Sequence, residues 1–519
     1  MLKSDDLINK VKSYNKFLNP ETLDKAYNFA VKAHENQKRH SGDPYVIHPV
    51  AVANILTELK LDSATIATGL LHDTIEDTHA TYQTIKDEFG QEVADLVEGV
   101  TKISELENQA TANSRAENFR KLIIATSKDI RVLLVKIADR LHNMRTISSI
   151  DKIEKRERIA KETMEIYSPL ADRMGMNRIR DELEDLSFEV LNPNARKLIK
   201  DRLDKIKENN LISFNAVAEE FIKLLQDHGL VARIFGREKA PFSLWRKMQN
   251  KRISLEQITD IMGFRIILDD ISACYKSLGI FHNKWNCIPG KFKDYISSPK
   301  INKYQSLHTA IIGPNQRPIE IQLRTMQMHE FAQRGVASHW KYKSSEKFNS
   351  LTWKEYDWLA DLVEIIEKNQ NPEDFYEYTK LQMFHENVFC FTPKGSVIKL
   401  PKDATPIDFA YAVHTQIGDT AIGSEINGKD SPLQSTLRNG DVVKIITSKR
   451  VSPSLHWLSL SKTGKARAAI RRYWQYKENT KSIKTKRYNT TLWISLTDQP
   501  GKLGDVTTMI GLNNVNISS

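Results

Sequence analysis

The sequence predicts a multidomain chain that joins an all-α first unit to α+β units farther along. A length of 519 residues is too great for one hydrophobic core and predicts three or four domains. Apolar residues recur at helical steps up to about residue 195. From about residue 200 onward, short runs rich in β-branched residues alternate with turns and helical stretches, which indicates a mixed sheet flanked by helices.

The composition is that of a soluble protein. The hydrophobic fraction is 40%, the mean hydropathy is -0.46, and no apolar stretch approaches the roughly 18 residues of a membrane span. The start, MLKSDDLINK, lacks the features of a secretory signal or transit peptide, so we expect a cytoplasmic protein. Cys274, Cys287 and Cys390 are scattered without a CxxC, which predicts free, buried thiols.

The net charge of +11 is concentrated in two segments. Residues 231–253 contain seven Lys or Arg against one Glu, and residues 462–487 contain ten against one. Such clusters attract polyphosphates or nucleic acid, although a solvated helical face is the ordinary explanation for a single basic run.

A predicted helical segment, Thr68 to Thr78 (TGLLHDTIEDT), concentrates groups that bind metal ions. His72 and Asp73 supply an imidazole and an anionic oxygen, and Glu76 and Asp77 follow on the same face, where they could activate a water molecule. Alone, a His-Asp pair is usually a cap or a surface pair.

Two further fragments strengthen the metal-site prediction. His48 lies upstream in RHSGDPYVIHP, and Asp139 lies downstream in KIADRLHNMRT. Asp139, Asn143 and Thr146 share one face of a predicted helix, at steps of four and three.

These fragments resemble the HD-type metal phosphohydrolases, and specifically the bifunctional RelA/SpoT homologues, which make and destroy the alarmone (p)ppGpp. The resemblance implies that one Mn²⁺ is held by His48, His72, Asp73 and Asp139 and that Glu76 and Asp77 activate water. It also implies a nucleotide pocket formed by Arg39, His40, Ser41, Asn143 and Thr146. Where the family often has Lys, this chain has His40, whose imidazole can still stack on a purine, so we expect altered affinity.

A second constellation suits phosphoryl chemistry. GREKAPFSLWRKMQNK gathers cations and a hydroxyl near a helix start, including Arg237, Lys239, Ser243 and Lys247. Asp260 precedes the apolar run FRIIL, and strand alternation in PIEIQLRT places Glu320, Gln322 and Arg324 on one face.

This order of motifs resembles the (p)ppGpp synthetase domain, a mixed-sheet α/β, nucleotidyltransferase-like fold. The resemblance implies that Asp260 and Glu320 bind Mg²⁺, with Glu320 also a base for the attacking 3′-hydroxyl. It implies an ATP site at Arg237, Lys239, Ser243 and Lys247, and a GTP or GDP site at Asn302, Tyr304, His308 and Gln322. Tyr304 is the expected stacking surface for guanine.

Two loops bear on whether both activities are present. KFKD at 291–294 resembles the basic RxKD loop of hydrolase-competent bifunctional members. Against this, the family's NGYQSLHT reads NKYQSLHT here. If the replaced Gly has positive φ, Lys303 would cost about 1 kcal/mol and could displace Tyr304.

The last third predicts smaller units. Residues 386–447 resemble a TGS domain, a β-grasp RNA-binding fold, in which NGD at 439–441 predicts a hairpin and His414 matches the histidine that meets the tRNA acceptor end. A basic helical stretch follows, and the segment from Thr490 resembles the opening β-α-β of an ACT domain, incomplete at residue 519.

The predicted organisation is then as follows: an HD-type hydrolase domain at 1–195, a synthetase domain at 196–345, a helical linker at 346–385, a TGS domain at 386–448, a short basic helical region at 449–488 and an incomplete ACT-like end at 489–519. The family normally has a longer C-terminal region, which predicts a shortened member.

Three functions remain open from the sequence. The first is a bifunctional (p)ppGpp synthetase and hydrolase, and the second is a hydrolase whose synthetase is impaired at Lys303. The third is a tRNA- or ribosome-binding regulator with vestigial catalytic domains, which would use His414 and the basic stretch from Lys462.

Overall fold

The computed structural model of the chain describes a defined set of residues: 3–15, 19–39, 41–107, 112–237, 239–254, 263–300, 302–316, 318–341, 359, 387–448 and 452–484. Three groups of sequence predictions lie outside these residues. They are His40, Asp260, and two segments: the predicted helical linker, apart from residue 359, and the predicted ACT-like end.

The first unit is helical throughout its described residues, as predicted. Its helices run α1 (Ser4–Lys12), α2 (Pro20–Ala33), α3 (Ile47–Glu58), α4 (Ser63–Leu71), α5 (Thr74–Asp77), α6 (Tyr82–Phe89), α7 (Gln91–Glu107), α8 (Ala112–Lys128), α9 (Ile130–Arg145), α10 (Ile153–Glu162), α11 (Ser168–Arg173) and α12 (Asn177–Leu191). A 3-10 turn lies at Ile147–Ser149 and a π-helical turn at Thr163–Tyr167.

Helix α9 lies at the centre of this unit. Its apolar side chains are buried in one core with those of α3, α4 and α7. Asp129 caps its first turn by accepting a hydrogen bond from the Arg131 backbone N–H. Because α9 is enclosed on all sides, its charged residues Lys136, Asp139 and Arg140 are also buried, and each needs a partner there.

The predicted single helix across TGLLHDTIEDT is wrong. Helix α4 ends at Leu71, His72 and Asp73 form a turn, and the short α5 begins at Thr74. The Thr74 hydroxyl donates to the Leu71 carbonyl at 2.6 Å, so a side chain competes for an acceptor near the end of α4.

The second unit is built on a mixed five-stranded sheet. Its strands are β1 (Arg233–Arg237), β2 (Gly263–Leu268), β3 (Lys293–Asp294), β4 (Leu307–Ile312) and β5 (Pro318–Thr325), in the order β1-β2-β5-β4-β3. The β2–β5 pair is parallel and the other pairs are antiparallel, which confirms the predicted mixed sheet.

Helices cover this sheet. They are α13 (Pro193–Asp227), α15 (Ile271–Lys284) and α16 (Met326–Arg334), while α14 (Pro241–Lys251) packs on α12 and α13. Two 3-10 turns lie at Pro314–Gln316 and Gly335–Lys341. The alternation in β5 holds: Ile319, Ile321 and Leu323 are fully buried in the core with Phe221 of α13. On the opposite face of β5, Gln322 and Arg324 line the polar cavity described below, and Glu320 pairs with Arg237 and Lys239.

The third unit begins with the hairpin β6 (Asn387–Phe391) and β7 (Val397–Pro401). Helices α17 (Pro406–Val413) and α18 (Thr415–Asp419) follow, and then β8 (Ala421–Ile426), β9 (Lys429–Ser431) and β10 (Val443–Thr447). Helices α19 (Trp457–Leu460) and α20 (Gly464–Lys484) pack on α17 through a shared apolar cluster, so the basic stretch is helical, as predicted.

The predicted hairpin at NGD 439–441 is wrong. Asn439 and Gly440 form a turn that leads into β10, and β10 pairs with β8 instead of with a strand just before the turn. The two-residue hairpin of this unit lies at Asn427 and Gly428, between β8 and β9, where φ is 54° and 77°. Positive φ at both positions is the requirement of a type I′ turn.

Among the described residues, no helix combines the length and the apolar character that a bilayer crossing requires. All three cysteines are free thiols, as predicted, and Cys274 and Cys390 are buried. The prediction of burial is wrong for Cys287, which is exposed near the end of α15.

Candidate functional site

Four side chains in the first unit converge on one point. His48 begins α3, His72 and Asp73 lie in the turn after α4, and Asp139 lies on α9. The ligand atoms of His48, His72 and Asp139 all lie within 4.8 Å of one another. The Asp73 carboxylate oxygens lie 3.4 Å from His48 Nε2 and 3.2 Å from His72 Nε2.

The spacing of these atoms fits a divalent cation. His48 Nε2 lies 3.2 Å from both Asp139 Oδ1 and His72 Nε2. Ligands about 2.1 Å from a metal ion stand about 3 Å apart around it. His72 Nδ1 lies 2.9 Å from the Gly69 carbonyl, and donation there leaves Nε2 as a lone pair facing the cluster. Two imidazoles and two carboxylates are a suitable donor set for such an ion.

The surroundings of the cluster favour the protonation states that bind a metal ion, a neutral imidazole and an anionic carboxylate. Burial lowers the pKa of His48, which keeps the imidazole neutral. Burial alone would raise the pKa of Asp139, but Lys136, whose Nζ is 3.1 Å from Asp139 Oδ2, and His48 hold that pKa well below its usual value. The carboxylate therefore stays anionic although it is enclosed.

The predicted nucleotide pocket of this unit is only partly assembled around the cluster. Arg39 donates to Asn143 Oδ1 at 2.9 Å and to Thr146 Oγ1 at 3.3 Å, and Asn143 Nδ2 donates to Asp139 Oδ1 at 2.6 Å. These contacts join Arg39 to a cluster residue. By contrast, Ser41 is exposed and its hydroxyl donates to Asp43 at 2.8 Å.

The predicted water-activating pair lies on α5. Glu76 is half-buried, and Asp77 is exposed with its Oδ2 accepting a hydrogen bond from the Tyr45 hydroxyl at 2.8 Å. The same hydroxyl lies 2.9 Å from Asp73 Oδ2. Asp77 is thus connected to the cluster through Tyr45.

A second polar site lies on the five-stranded sheet. Its cavity of about 840 Å³ is bordered by all five strands of the sheet and by α11 and α12 of the first unit. Its lining is strongly basic: Arg173, Arg178, Arg180, Arg237, Arg246, Arg265, Lys293, Lys300 and Arg324 contribute to it. A basic cavity of this size suits a polyphosphate ligand.

Glu320 lies on β5 among cations. Each of its two oxygens lies 3.1 Å from a residue predicted to bind ATP: Oε1 from Arg237 and Oε2 from Lys239. Burial would raise the pKa of Glu320, but Lys239 and Arg237 hold it below its usual value. Ser243 and Lys247 lie on the neighbouring α14, half-buried. The second predicted acid, Asp260, lies outside the described residues.

The residues predicted for the guanine nucleotide are brought together. The Tyr304 hydroxyl lies 2.9 Å from His308 Nε2, and Asn302 Oδ1 accepts the Tyr304 backbone N–H at 3.3 Å. Gln322 lies on β5, where it pairs with His308 across the sheet. Lys303 has a φ of 59°, so the positive φ at which lysine is expected to be strained is present. The Tyr304 side chain nevertheless contacts His308.

Buried arginines line this site: Arg324 lies on the polar face of β5, as the strand alternation predicts, and Arg265 lies on β2, where the sequence reasoning singled out no arginine. Arg324 is 1% exposed, and its Nε, like that of Arg265, is buried without a hydrogen-bond partner. Burial, with Arg265 and Arg237 nearby, lowers the pKa of Arg324 to about 10. An unpaired buried donor costs free energy, so these two guanidinium groups are suited to binding an anion.

Comparison with known proteins places these sites in a family. Family models match three segments: "HD domain" over residues 26–177, "Region found in RelA / SpoT proteins" over 236–347 and "TGS domain" over 388–447. The chain belongs to the RelA/SpoT family. The metal cluster lies within the HD segment and the basic cavity largely within the RelA/SpoT segment.

Curated relatives share nearly half of the aligned residues with this RelA/SpoT chain. GTP pyrophosphokinase rsh of Brucella melitensis is 49% identical over 94% of the chain. The guanosine-3′,5′-bis(diphosphate) 3′-pyrophosphohydrolase of Aquifex aeolicus is 46% identical over 89%, and the bifunctional (p)ppGpp synthase/hydrolase SpoT of Escherichia coli is 45% identical over 86%. The chain spans 65%, 66% and 64% of these relatives' lengths, respectively.

In the TGS segment of this RelA/SpoT chain, His414 is exposed between α17 and α18. Its Nδ1 accepts the Gln416 backbone N–H at 3.2 Å, so the imidazole caps α18 while the rest of the ring faces solvent. Lys465 of α20 donates to the Ala412 carbonyl at 3.3 Å, close to His414 in the fold. His414 therefore caps α18 and is also exposed beside the basic helix α20.

Sequence reasoning missed three residues around the metal cluster. Lys136 pairs with Asp139, Tyr45 bridges Asp73 and Asp77, and His142 Nδ1 lies 2.8 Å from His48 Nδ1. Burial, with His48 and Arg39 nearby, lowers the pKa of His142 to about 3, so this ring is neutral and its Nδ1 can share one hydrogen bond with His48 Nδ1. His142 is adjacent to Asn143 in the quoted motif, which was the available signal.

Proposed function

We propose that this chain is a bifunctional alarmone enzyme of the cytoplasm. One site hydrolyses the 3′-pyrophosphate of (p)ppGpp to leave GDP or GTP, and the other transfers pyrophosphate from ATP to the 3′-hydroxyl of GTP or GDP. The convergence of His48, His72, Asp73 and Asp139 carries the proposal. The names of relatives with 45–49% identity, a synthase, a hydrolase and a bifunctional enzyme, support it.

For hydrolysis we propose Mn²⁺ on these four ligands. When bound, the ion would lower the pKa of water and polarise the pyrophosphate. Arg39, Asn143 and Thr146 would hold the nucleotide beside the cluster, with Ser41 and His40 contributing from the same loop. Glu76 and Asp77 would take the proton from the attacking water.

For synthesis we propose that cations of the basic cavity hold ATP. Four residues would bind its phosphates: Arg237, which lines the cavity, Lys239, which pairs with Glu320, and Ser243 and Lys247 on α14. The pairing of Arg237 and Lys239 with Glu320 would then be exchanged for contacts to ATP, which frees Glu320 to bind Mg²⁺ together with Asp260.

The acceptor nucleotide would lie on the other side of Glu320. Tyr304 would stack on guanine, with Asn302, His308 and Gln322 around it. A charged Glu320 could accept the proton of the 3′-hydroxyl as it attacks ATP. The contact between Tyr304 and His308, made although Lys303 has positive φ, supports an active synthetase over an impaired one.

A binding function at His414 is a second candidate, favoured by the exposed ring and the adjacent basic helix α20. We propose that this surface meets the acceptor end of tRNA and, through α20, ribosomal RNA. Replacing His414 should then weaken tRNA binding and leave hydrolysis by the purified protein unchanged.

The deciding experiment is a two-way assay on the purified chain. With MnCl₂ and ppGpp the protein should release pyrophosphate and GDP, and with MgCl₂, ATP and GDP it should form AMP and ppGpp. His72→Ala should reduce hydrolysis at least about 100-fold, since a ligand is lost. His79→Ala, an exposed histidine seven residues on, is the matched control and should keep full activity. Absence of hydrolysis by the unaltered protein would contradict the proposal.

A further inference from the structure

Tyr45 occupies a position that the proposed mechanism does not use. Its hydroxyl lies 2.9 Å from Oδ2 of Asp73, a cluster residue, and 2.8 Å from Oδ2 of Asp77, a proposed proton acceptor. The residue is half-buried, three positions before His48, whose backbone N–H donates to the Tyr45 carbonyl at 2.9 Å. The Tyr45 hydroxyl thus contacts both a proposed cation ligand and a proposed proton acceptor of the hydrolase site.

The ring of Tyr45 is held in place from three directions. His34 stacks on it with ring centroids 4.8 Å apart, and Arg39 lies over it at 5.8 Å. His48 contacts its edge at 6.1 Å. The Tyr45 backbone N–H donates to the Gln37 carbonyl at 2.9 Å, and Gln37 Oε1 in turn lies 2.6 Å from His34 Nδ1. The phenol cannot swing away from the carboxylates without breaking this packing.

The phenol fixes the orientation of two carboxylates. A single O–H placed between two anionic oxygens reduces their mutual repulsion and gives both a shared direction. With its Oδ2 held by Tyr45 and 3.4 Å from His48 Nε2, Asp73 places Oδ1 3.2 Å from His72 Nε2, so both oxygens of this carboxylate face the cluster. Asp77 is exposed, and its hydrogen bond to Tyr45 ties it to the same group.

We infer that Tyr45 is a positioning residue of the hydrolase site, one that orients Asp73 for the cation and holds Asp77 beside it. The inference rests on the proposed hydrolase function, but its metal-binding part can be tested separately. Residues that orient metal ligands typically contribute about 10- to 100-fold to affinity or activity.

The first test measures binding of Mn²⁺ to the metal-stripped full chain in the absence of nucleotide. The electron paramagnetic resonance signal of free Mn²⁺ monitors the titration. Tyr45→Phe keeps the ring and removes the hydroxyl, so the Kd for Mn²⁺ should rise about 10-fold or more. Tyr82→Phe is the matched control, because Tyr82 also donates to a carboxylate of this unit, Asp95 at 2.8 Å, away from the cluster. Its Kd should stay within about twofold of the unaltered protein.

The second test separates positioning from general loosening of the fold. At saturating Mn²⁺, Tyr45→Phe should lower kcat for ppGpp about 10- to 100-fold and leave KM within about twofold, since Arg39, Asn143 and Thr146 remain. A lower melting temperature of the metal-free protein with kcat and KM both changed would point to a structural role and overturn the inference. Unchanged Mn²⁺ affinity and kcat would overturn it as well.

A second variant covers the case in which Tyr45→Phe does not fold. His34→Ala removes the stacked ring behind Tyr45 and should weaken Mn²⁺ binding in the same direction, whereas His34→Phe should restore it. Equal Mn²⁺ affinity in both His34 variants would overturn the inference. If the unaltered protein binds Mn²⁺ but hydrolyses no ppGpp, the proposed function fails while the Mn²⁺ titrations still decide the role of Tyr45.

Discussion

At the scale of single residues, Lys303 combines backbone strain with a place in the predicted guanine site. Its φ of 59° lies in the left-handed region, which costs a residue with a side chain about 1 kcal/mol or more. The neighbouring contacts absorb this: the Lys303 backbone N–H donates to the Lys300 carbonyl at 2.8 Å, and Tyr304 remains beside His308. The left-handed backbone at Lys303 is therefore compatible with a Tyr304 ring that contacts His308.

We predict that Lys303→Gly raises the free energy of unfolding by about 1 kcal/mol, because glycine adopts this φ without steric cost. KM for GDP in synthesis should stay within about twofold, since Tyr304 is already in place. Urea denaturation and steady-state kinetics check the two parts. Lys60→Gly is the control: φ there is 60°, just after α3, so it should stabilise similarly and leave synthesis alone. A large fall in KM for Lys303→Gly alone would contradict this reading.

Among elements, those with a strong local pattern could be predicted from the sequence. Strands β2, β4 and β5 were visible as apolar runs, and α9 as a helix with Asp139, Asn143 and Thr146 on one face. Contacts between distant segments could not be predicted, because nothing local marks Tyr45 as the neighbour of Asp73, 28 residues away, or His142 as that of His48, 94 away. The hairpin was misplaced because the chain offers two Asn-Gly turns, and only pairing with a flanking strand distinguishes Asn427 from Asn439.

A buried carboxylate of the TGS unit holds the two residues that lead into helix α20, in addition to the shared apolar cluster. Asp408, fully buried in the first turn of α17, accepts hydrogen bonds from the backbone N–H groups of Lys462 and Thr463 at 2.9 and 2.8 Å. It also accepts from the Thr405 and Thr463 hydroxyls at 3.0 and 2.8 Å. Side-chain and main-chain donors from both segments thus meet on a single anion.

We predict that Asp408→Asn destabilises this unit by about 3 kcal/mol, because an amide replaces charge-assisted acceptors with a donor that faces other donors. Trypsin should then cleave the segment before α20 faster than in the unaltered chain, and fluorescence of Trp457 and Trp474, which pack in the shared cluster, should shift. The exposed Asp430→Asn on β9 is the control and should behave as the unaltered chain does. Unchanged proteolysis in Asp408→Asn would contradict this account.

For the molecule as a whole, the loop of the guanine site is anchored on the hydrolase unit. Asn302 Nδ2 donates to the Asp172 carbonyl at 3.0 Å, and the Val336 backbone N–H donates to the Met174 carbonyl at 2.8 Å. Two glycines with positive φ, Gly175 and Gly335, permit this approach of backbones. A Cβ on Gly335 would lie 1.9 Å from the Met174 carbonyl oxygen, closer than any real contact.

We predict that Gly335→Ala separates these two units. Steric overlap with Met174 and the unfavourable φ should together cost about 2 kcal/mol or more, lowering the urea midpoint of the full chain. Because Asn302 would lose its anchor at Asp172, KM for GDP should rise while hydrolysis, whose ligands lie elsewhere, changes little. Gly279→Ala is the control: it lies exposed in α15 with nothing within 4 Å, so it should stabilise by up to about 1 kcal/mol. A Gly335→Ala protein with the midpoint and KM of the unaltered chain would show that the contact does not couple the units.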